Sequence, residues 1–189
     1  GKLFTHVDLS VPGRHNMLNA LASCAVCIFI GLDPEKSAAG LKKFTGSSRR
    51  FQLTGHMANG ATVIDDYAHH PTEMTATLKT AREMDFDRII CVFKSHTYSR
   101  TKSLLPQFVE ALKLCDKAIV ADIYAAREKN TFGISGKDIA DQLDGGEYYP
   151  SFEQIEARVR EIAQPNDLII TMGAGNINGI GPKLCVDAK

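Results

Sequence analysis

The stretch ATVIDDYAHHPTE, residues 61–73, decides how the rest of the chain reads. Ala61 to Ile64 is a short apolar run with the β-branched residues that suit a strand. Two carboxylates, a phenol and two imidazoles follow, and Pro71 to Met84 reads as a helix with proline in its first turn. A strand that hands over to a helix across a polar loop is the repeating unit of a parallel sheet. The alternation continues downstream: Arg88 to Phe93 and Lys117 to Ile123 read as strands around a helix from Thr101 to Cys115, and Asp167 to Met172 as a last apolar strand. Upstream, Arg50 to His56 joins Ala61 to Ile64 through Asn59-Gly60, a pair suited to the tight primed turns of antiparallel hairpins. Ser135-x-x-Asp138 and Ser151-x-x-Gln154 resemble capping boxes, so helices should open at both serines. The expected fold is α/β, with right-handed crossovers and a mostly parallel, doubly wound sheet that carries one antiparallel hairpin.

The first part of the chain has a different texture. Lys2 to Leu9 alternates weakly and reads as a strand end, and Val11-Pro12-Gly13 makes a turn. A helix should run from about His15 to Ile30. It holds most of the apolar run from Ala20 to Leu32, which is shorter than the ~20 residues of a membrane span and reads as a buried helix. Asp33-Pro34-Glu35 restarts a helix, with Asp as N-cap and Pro at the first position, that should end near Phe44. Thr45-Gly46-Ser47-Ser48 is small and polar like a linker, which divides the chain into residues 1–46 and 47–189.

Composition excludes several classes. Twenty-two Lys and Arg balance 22 Asp and Glu, a poor footprint for binding nucleic acid or an anionic membrane surface. Five cysteines in a chain long enough to bury its own core, with no signal-peptide pattern, point to a reducing cytoplasm. Cys24 and Cys27 form a CxxC inside the apolar helix, but no second pair completes a zinc set, so they read as packing and no metal site is expected.

In a doubly wound sheet, ligands bind beyond the carboxyl ends of the strands. The unusual polar segments of this sequence fall there: Asp65 to His70, Lys94 to Arg100, Tyr124 to Glu128 and Gly173 to Asn176. In the first, a carboxylate could accept ribose hydroxyls and an imidazole could bind a carboxylate, take a proton or ligate a metal; the plainer alternative is that Asp65 or Asp66 tethers backbone while His70 caps the next helix. In the second, Ser99 or nearby backbone amides at a helix start could hold an anion and Arg100 offers a planar fork for a carboxylate, against the alternative of Arg100 pairing with a surface acid on the next helix. Asn16 and Asn19 share a helix face and could read an adenine edge, or Asn16 could simply cap its helix. Gly173-Ala174-Gly175 lacks the spacing of a dinucleotide fingerprint and reads as a tight strand-to-helix turn, and no phosphate-loop motif G-x-x-x-x-G-K-[ST] occurs.

GRHNMLNALA (13–22), RRFQ (49–52), DDYAHHPTE (65–73), HTYSRT (96–101), YAARE (124–128) and MGAG (172–175) occur in this order. Together they resemble the Mur ligases of peptidoglycan synthesis, in the branch that joins L-alanine to UDP-N-acetylmuramate. The branch that attaches recycled murein tripeptide shares the first and third patterns but lacks HTYSRT. One departure is Lys94-Ser95, where the alanine branch more often has Gln-Pro. The resemblance implies a Rossmann-like C-terminal domain preceded by the helical tail of a central ATP-binding domain, with the sugar-binding domain and the phosphate loop outside this sequence. It implies ATP- and Mg2+-dependent ligation, in which the muramate carboxylate becomes an acyl phosphate that the alanine amine attacks. It assigns Asn16 and Asn19 to adenine, Asp66 to ribose and Arg50 to the vicinity of ATP, and places Tyr67, His69, His96 and Arg100 around alanine. A chain of this extent is expected to be inactive alone; a non-catalytic module that binds an amino acid or a nucleotide is the alternative from another class.

Overall fold

The computed structural model describes residues 1–188, which fall into two compact units, Gly1–Ser48 and the chain from Arg49 onward. The first unit is two helices, α1 (Arg14–Phe29) and α2 (Pro34–Lys43). Asp33 caps α2 by accepting from the Lys36 amide at 2.9 Å, Pro34 opens it, and Lys42 and Lys43 sit in its last turn where the helix dipole favours cations. α1 starts from Gly13, whose φ of 96° a side chain would strain.

Two expectations fail in this unit. Lys2 to Leu9 is irregular, because a strand end needs a second strand and no strand lies among the described residues of this unit. The apolar helix is not buried either: within α1 only Ala20 is buried, while Leu18, Leu21, Val26 and Phe29 are exposed, Phe29 to 90%. Within the unit α1 has a single helix to pack on, α2, too little surface to cover a helix that is apolar on several sides. Cys24 and Cys27 are accordingly half-buried.

The second unit contains β1 (Gln52–His56), β2 (Thr62–Asp66), α3 (Pro71–Arg82), β3 (Arg88–Lys94), α4 (Tyr98–Ser103), α5 (Leu105–Leu112), β4 (Lys117–Ala121), α6 (Lys137–Ala140), β5 (Glu147–Tyr149), α7 (Phe152–Ile162), β6 (Asp167–Gly173) and α8 (Ile180–Leu184). The sheet order is β1-β2-β6-β3-β4-β5. β1 is antiparallel to β2 and every other pairing is parallel, as the alternation of strand and helix implied. The last strand in sequence thus lies in the middle, and all of its residues are buried. Leu168, Ile170 and Met172 of β6 pack with Met74, Leu78, Phe108 and Leu112 on one face. Ile169 packs with Ile155, Val159, Ile180 and Leu184 on the other, so helices cover both sides of the sheet.

Local chemistry explains where the elements differ from expectation. The hairpin is wider than a two-residue turn: the Met57 amide donates to the Ala61 carbonyl at 2.8 Å, leaving Ala58, Asn59 and Gly60 as the loop, with Gly60 at φ 94°. The helix expected over residues 101–115 is two helices broken at Leu104, because Pro106 has no amide to donate and its ring blocks the preceding turn. Ser151 caps α7 by accepting from the Gln154 amide at 3.3 Å. Ser135 instead donates both its amide and its hydroxyl to Asp138, at 2.8 and 3.0 Å, and α6 opens two residues later. β5 was not anticipated, since three residues leave no periodicity to read.

Phe108 is fully buried, its ring 5.4 Å from that of Phe93. Phe108→Ala should destabilise the protein by about 3–5 kcal/mol through lost burial and the cavity it leaves, measured as a lower urea midpoint with an unchanged m-value.

Candidate functional site

Parallel register brings the strand ends level. Asp66 pairs with Met172, Phe93 also pairs with Met172, and Lys94 pairs with Gly173. The loops after β2, β3 and β6 therefore leave the sheet side by side. The loop after β4 joins them through an isolated bridge between His96 and Tyr124, in which the Tyr124 amide donates to the Ser95 carbonyl and the Thr97 amide to the Tyr124 carbonyl, both at 2.9 Å.

The side chains on these loops form a continuous line of rings. Tyr67 lies 5.1 Å from His69, His69 lies 6.1 Å from His96, and His96 stacks on Tyr124 at 5.6 Å with 23° between the planes. Three of the four residues expected around the amino acid are thus together, and Arg100 follows on the first turn of α4. Among the described residues, two buried side-chain nitrogens have no hydrogen-bond partner: Nδ1 of His96 and Nη1 of Arg100. Leaving such buried polar atoms unmet costs about 1–3 kcal/mol each, and both lie in the HTYSRT segment. Burial, followed by the nearby Arg100 cation, pushes His96 below its ordinary value, so its ring stays neutral at neutral pH. His69 is oriented by the Tyr67 carbonyl at 3.0 Å and by the Glu73 carboxylate at 3.4 Å.

The neighbouring helix start is tightly built. His70 is the N-cap of α3 and accepts from the Thr72 amide at 3.3 Å, while Glu73 accepts from the His70 amide in return. Of the alternatives open for His70, capping is the one found.

Asp66, to which the resemblance assigns the ribose, is engaged by the chain itself. It is 3% exposed, and its two oxygens accept from the Phe51 amide at 2.9 Å, the Ala68 amide at 2.8 Å and the Thr77 hydroxyl at 3.1 Å. Burial raises its carboxyl against these bonds. Three of the roughly four acceptor positions of a carboxylate are thus taken by the chain, so Asp66 serves here as a backbone tether. Asp65 is tied in the same way, to Thr171 at 2.8 Å and Arg49 at 2.8 Å.

Arg50, by contrast, is half-exposed at the rim, 3.8 Å from Glu73 and 6.0 Å from the Tyr67 ring centre. Asn16 and Asn19 belong to the first unit. Asn16 is not the cap of its helix, but its side chain donates to the Pro12 carbonyl at 2.6 Å; Asn19 is exposed one turn further along α1.

Three residues of the site were not singled out from the sequence. Arg49, at φ 57°, spans the seam between β2 and β6: its guanidinium holds Asp65 and the carbonyls of Gly173 and Gly175, at 2.9 and 3.2 Å, and lies 4.8 Å from the Tyr67 ring centre. Tyr124 fills the space where a Cβ on Gly175 would come within 2.8 Å of its ring. Glu128 accepts from the Ser99 amide at 2.9 Å and from the Ser99 hydroxyl at 2.5 Å. All three sit inside quoted motifs, RRFQ and YAARE, and that membership is the signal that could have found them. No group of three metal-ligating side chains occurs among the described residues. A planar cationic fork beside two imidazoles and a phenol can hold the carboxylate of a small amino acid and orient its amine.

The family described as "Mur ligase, glutamate ligase domain" matches residues 49–175. The UDP-N-acetylmuramate–L-alanine ligase of Agathobacter rectalis is 53% identical over 182 residues, which cover 94% of this chain and 39% of that protein. The crystal structure of UDP-N-acetylmuramate-alanine ligase from Thermotoga maritima superposes with a TM-score of 0.79 at 30% identity, covering 94% of this chain and 38% of the other. That of a murein peptide ligase from Psychrobacter arcticus gives 0.68 at 25% identity, with the same coverage. The chain spans about two fifths of the length of the curated relatives it matches. With this rim of loops and a family match over most of its length, the chain belongs to the Mur ligase family.

Proposed function

We propose that this chain is the C-terminal portion of an ATP-dependent ligase that joins L-alanine to UDP-N-acetylmuramate in peptidoglycan synthesis, and that its second unit supplies the amino-acid site. The observation that carries the proposal is the pair of unmet buried nitrogens, Nη1 of Arg100 and Nδ1 of His96, on a line of rings that also holds Tyr67 and His69. Arg100 binds the alanine carboxylate. His96 and His69, with Tyr67, shape the space around the α-carbon and the amine, and neutral His96 neither repels the ammonium form nor competes for the carboxylate. HTYSRT and the 53% relative favour the alanine branch over the tripeptide-recycling one.

Residues 1–46 are proposed to be the tail of the central ATP-binding domain, and residues 47–189 the C-terminal domain. The apolar face of α1, exposed at Leu18, Leu21, Val26 and Phe29, fits a helix that packs on chain outside this sequence. In the first unit Asn16 and Asn19 offer carboxamides to adenine; in the second, Arg50 offers a half-exposed guanidinium to phosphate. ATP, when bound, supplies the phosphoryl group that activates the sugar acid. The residues present do not fit Mg2+: no group of three metal-ligating side chains occurs among those described. No helix of the described residues is long and apolar enough to cross a membrane, which fits the proposed cytoplasmic setting.

Three outcomes test this. In the full-length ligase, Arg100→Lys should raise the KM for alanine about tenfold and leave that for ATP nearly unchanged, since a matched planar contact becomes a point charge; equal effects on both would make Arg100 structural. In this chain, the His96 ring followed by NMR should titrate below its ordinary 6.5. Because the folded state resists that proton, stability from this group is full above 6.5 and falls as the pH drops below it. Phosphate release by the chain alone with ATP, UDP-N-acetylmuramate and alanine should stay at background, and turnover that copurifies with the folded chain would refute the partial-enzyme assignment.

A further inference from the structure

We propose that Glu128 is a positioning residue for the amino-acid site: from the loop after β4 it caps α4 and so fixes the direction of the Arg100 fork. The inference rests on the assignment of Arg100 to the substrate carboxylate.

The start of α4 cannot cap itself. Its N-cap residue, Thr97, makes no side-chain cap bond and holds a left-handed φ of 66°. The first amides of a helix need partners from elsewhere, and Glu128 supplies one from 29 positions along the chain, accepting from the Ser99 amide at 2.9 Å and the Ser99 hydroxyl at 2.5 Å. These bonds, led by the hydroxyl, hold its carboxyl below the usual range, so it is ionised wherever the site operates.

The carboxylate is itself held in place. Its loop is fastened to the β3 loop by the two 2.9 Å bonds around Tyr124, and the Glu128 amide donates to the Ala125 carbonyl at 2.9 Å beside Ala126, at φ 52°. Arg100 is the next residue after Ser99. Its buried Nη1 has no partner, so that arm of the guanidinium is aimed by the backbone of α4 and by packing. What fixes the start of α4 therefore fixes the fork. A loosely aimed arginine keeps its charge but loses the planar match on which two-point binding of a carboxylate depends.

The test uses the full-length ligase and steady-state kinetics for alanine and ATP. Glu128→Ala should raise the KM for alanine about tenfold, with that for ATP within about twofold. Glu128→Gln should recover most of the loss, because its carbonyl can accept from the Ser99 amide while its NH2 donates to the hydroxyl. Combined with Arg100→Lys, Glu128→Ala should add less than about twofold to the alanine KM, since a residue that acts through Arg100 has nothing left to position. Should Glu128→Ala fail to fold, Ser99→Ala removes one of the two bonds and should raise the alanine KM about threefold. An unchanged alanine KM in Glu128→Ala, an equal rise in both KM values, or full additivity with Arg100→Lys would overturn the proposal. If Arg100→Lys itself leaves the alanine KM unmoved, the assignment of Arg100 fails and takes the Glu128 proposal with it; if Arg100→Lys acts and Glu128→Ala does not, only the Glu128 proposal fails.

Discussion

The pairing of β6 between β2 and β3 is the constraint from which the rest of the second unit follows. A strand buried on both faces must satisfy every amide and carbonyl through its neighbours, and the two parallel ladders do so from Leu168 to Met172 on both sides. Register then determines the site. Asp66, Lys94 and Gly173 reach the same level, and the loops they begin have nowhere to go but the same rim. Arg49 fastens that rim by bonding to Asp65 on one strand and to the carbonyls of Gly173, at the end of the other, and Gly175 just past it.

Much of this fold was legible because it is written in local patterns. Apolar runs at Arg88–Phe93, Lys117–Ile123 and Asp167–Met172 hold β3, β4 and β6, although β4 stops at Ala121, and Asp33 and Ser151 cap helices as their positions implied. What local patterns do not carry is neighbourhood. Nothing in Asp167–Met172 says that this strand lies at the centre of the sheet, and nothing in Ala20–Leu32 says whether another surface covers it. Burial was inferred for α1 from apolarity alone, and apolarity reports a need for cover without providing it. Pro106 is different: its missing amide was visible in the sequence and should have divided the helix at Leu104.

The site shows the same division. Tyr67, His69, His96 and Arg100 stood out because reactive groups cluster just after strands, and the structure brings the three rings into contact with Arg100 close behind. Asp66 stood out for the same reason, yet its oxygens face Phe51, Ala68 and Thr77. A carboxylate at a strand end can face outward or inward, and sequence does not distinguish the two. Arg49, Tyr124 and Glu128 escaped notice because their work is done on other parts of the chain, through partners that become neighbours only after folding.

Thr97 and Ala126 are both non-glycine residues in the left-handed region, on loops joined through Tyr124. Each conformation costs on the order of 1 kcal/mol or more relative to what the residue would choose, and a chain shaped only for robustness would carry glycine or asparagine there. The surrounding bonds keep both residues in a shape they would otherwise leave. Substitutions that loosen the far end of β4 can therefore relax this corner while the sheet persists. On the proposed assignment, variants of this kind would look sound in a melting experiment yet bind the amino acid poorly, so tolerance to mutation should be narrower for that function than for folding along residues 95–101 and 122–128.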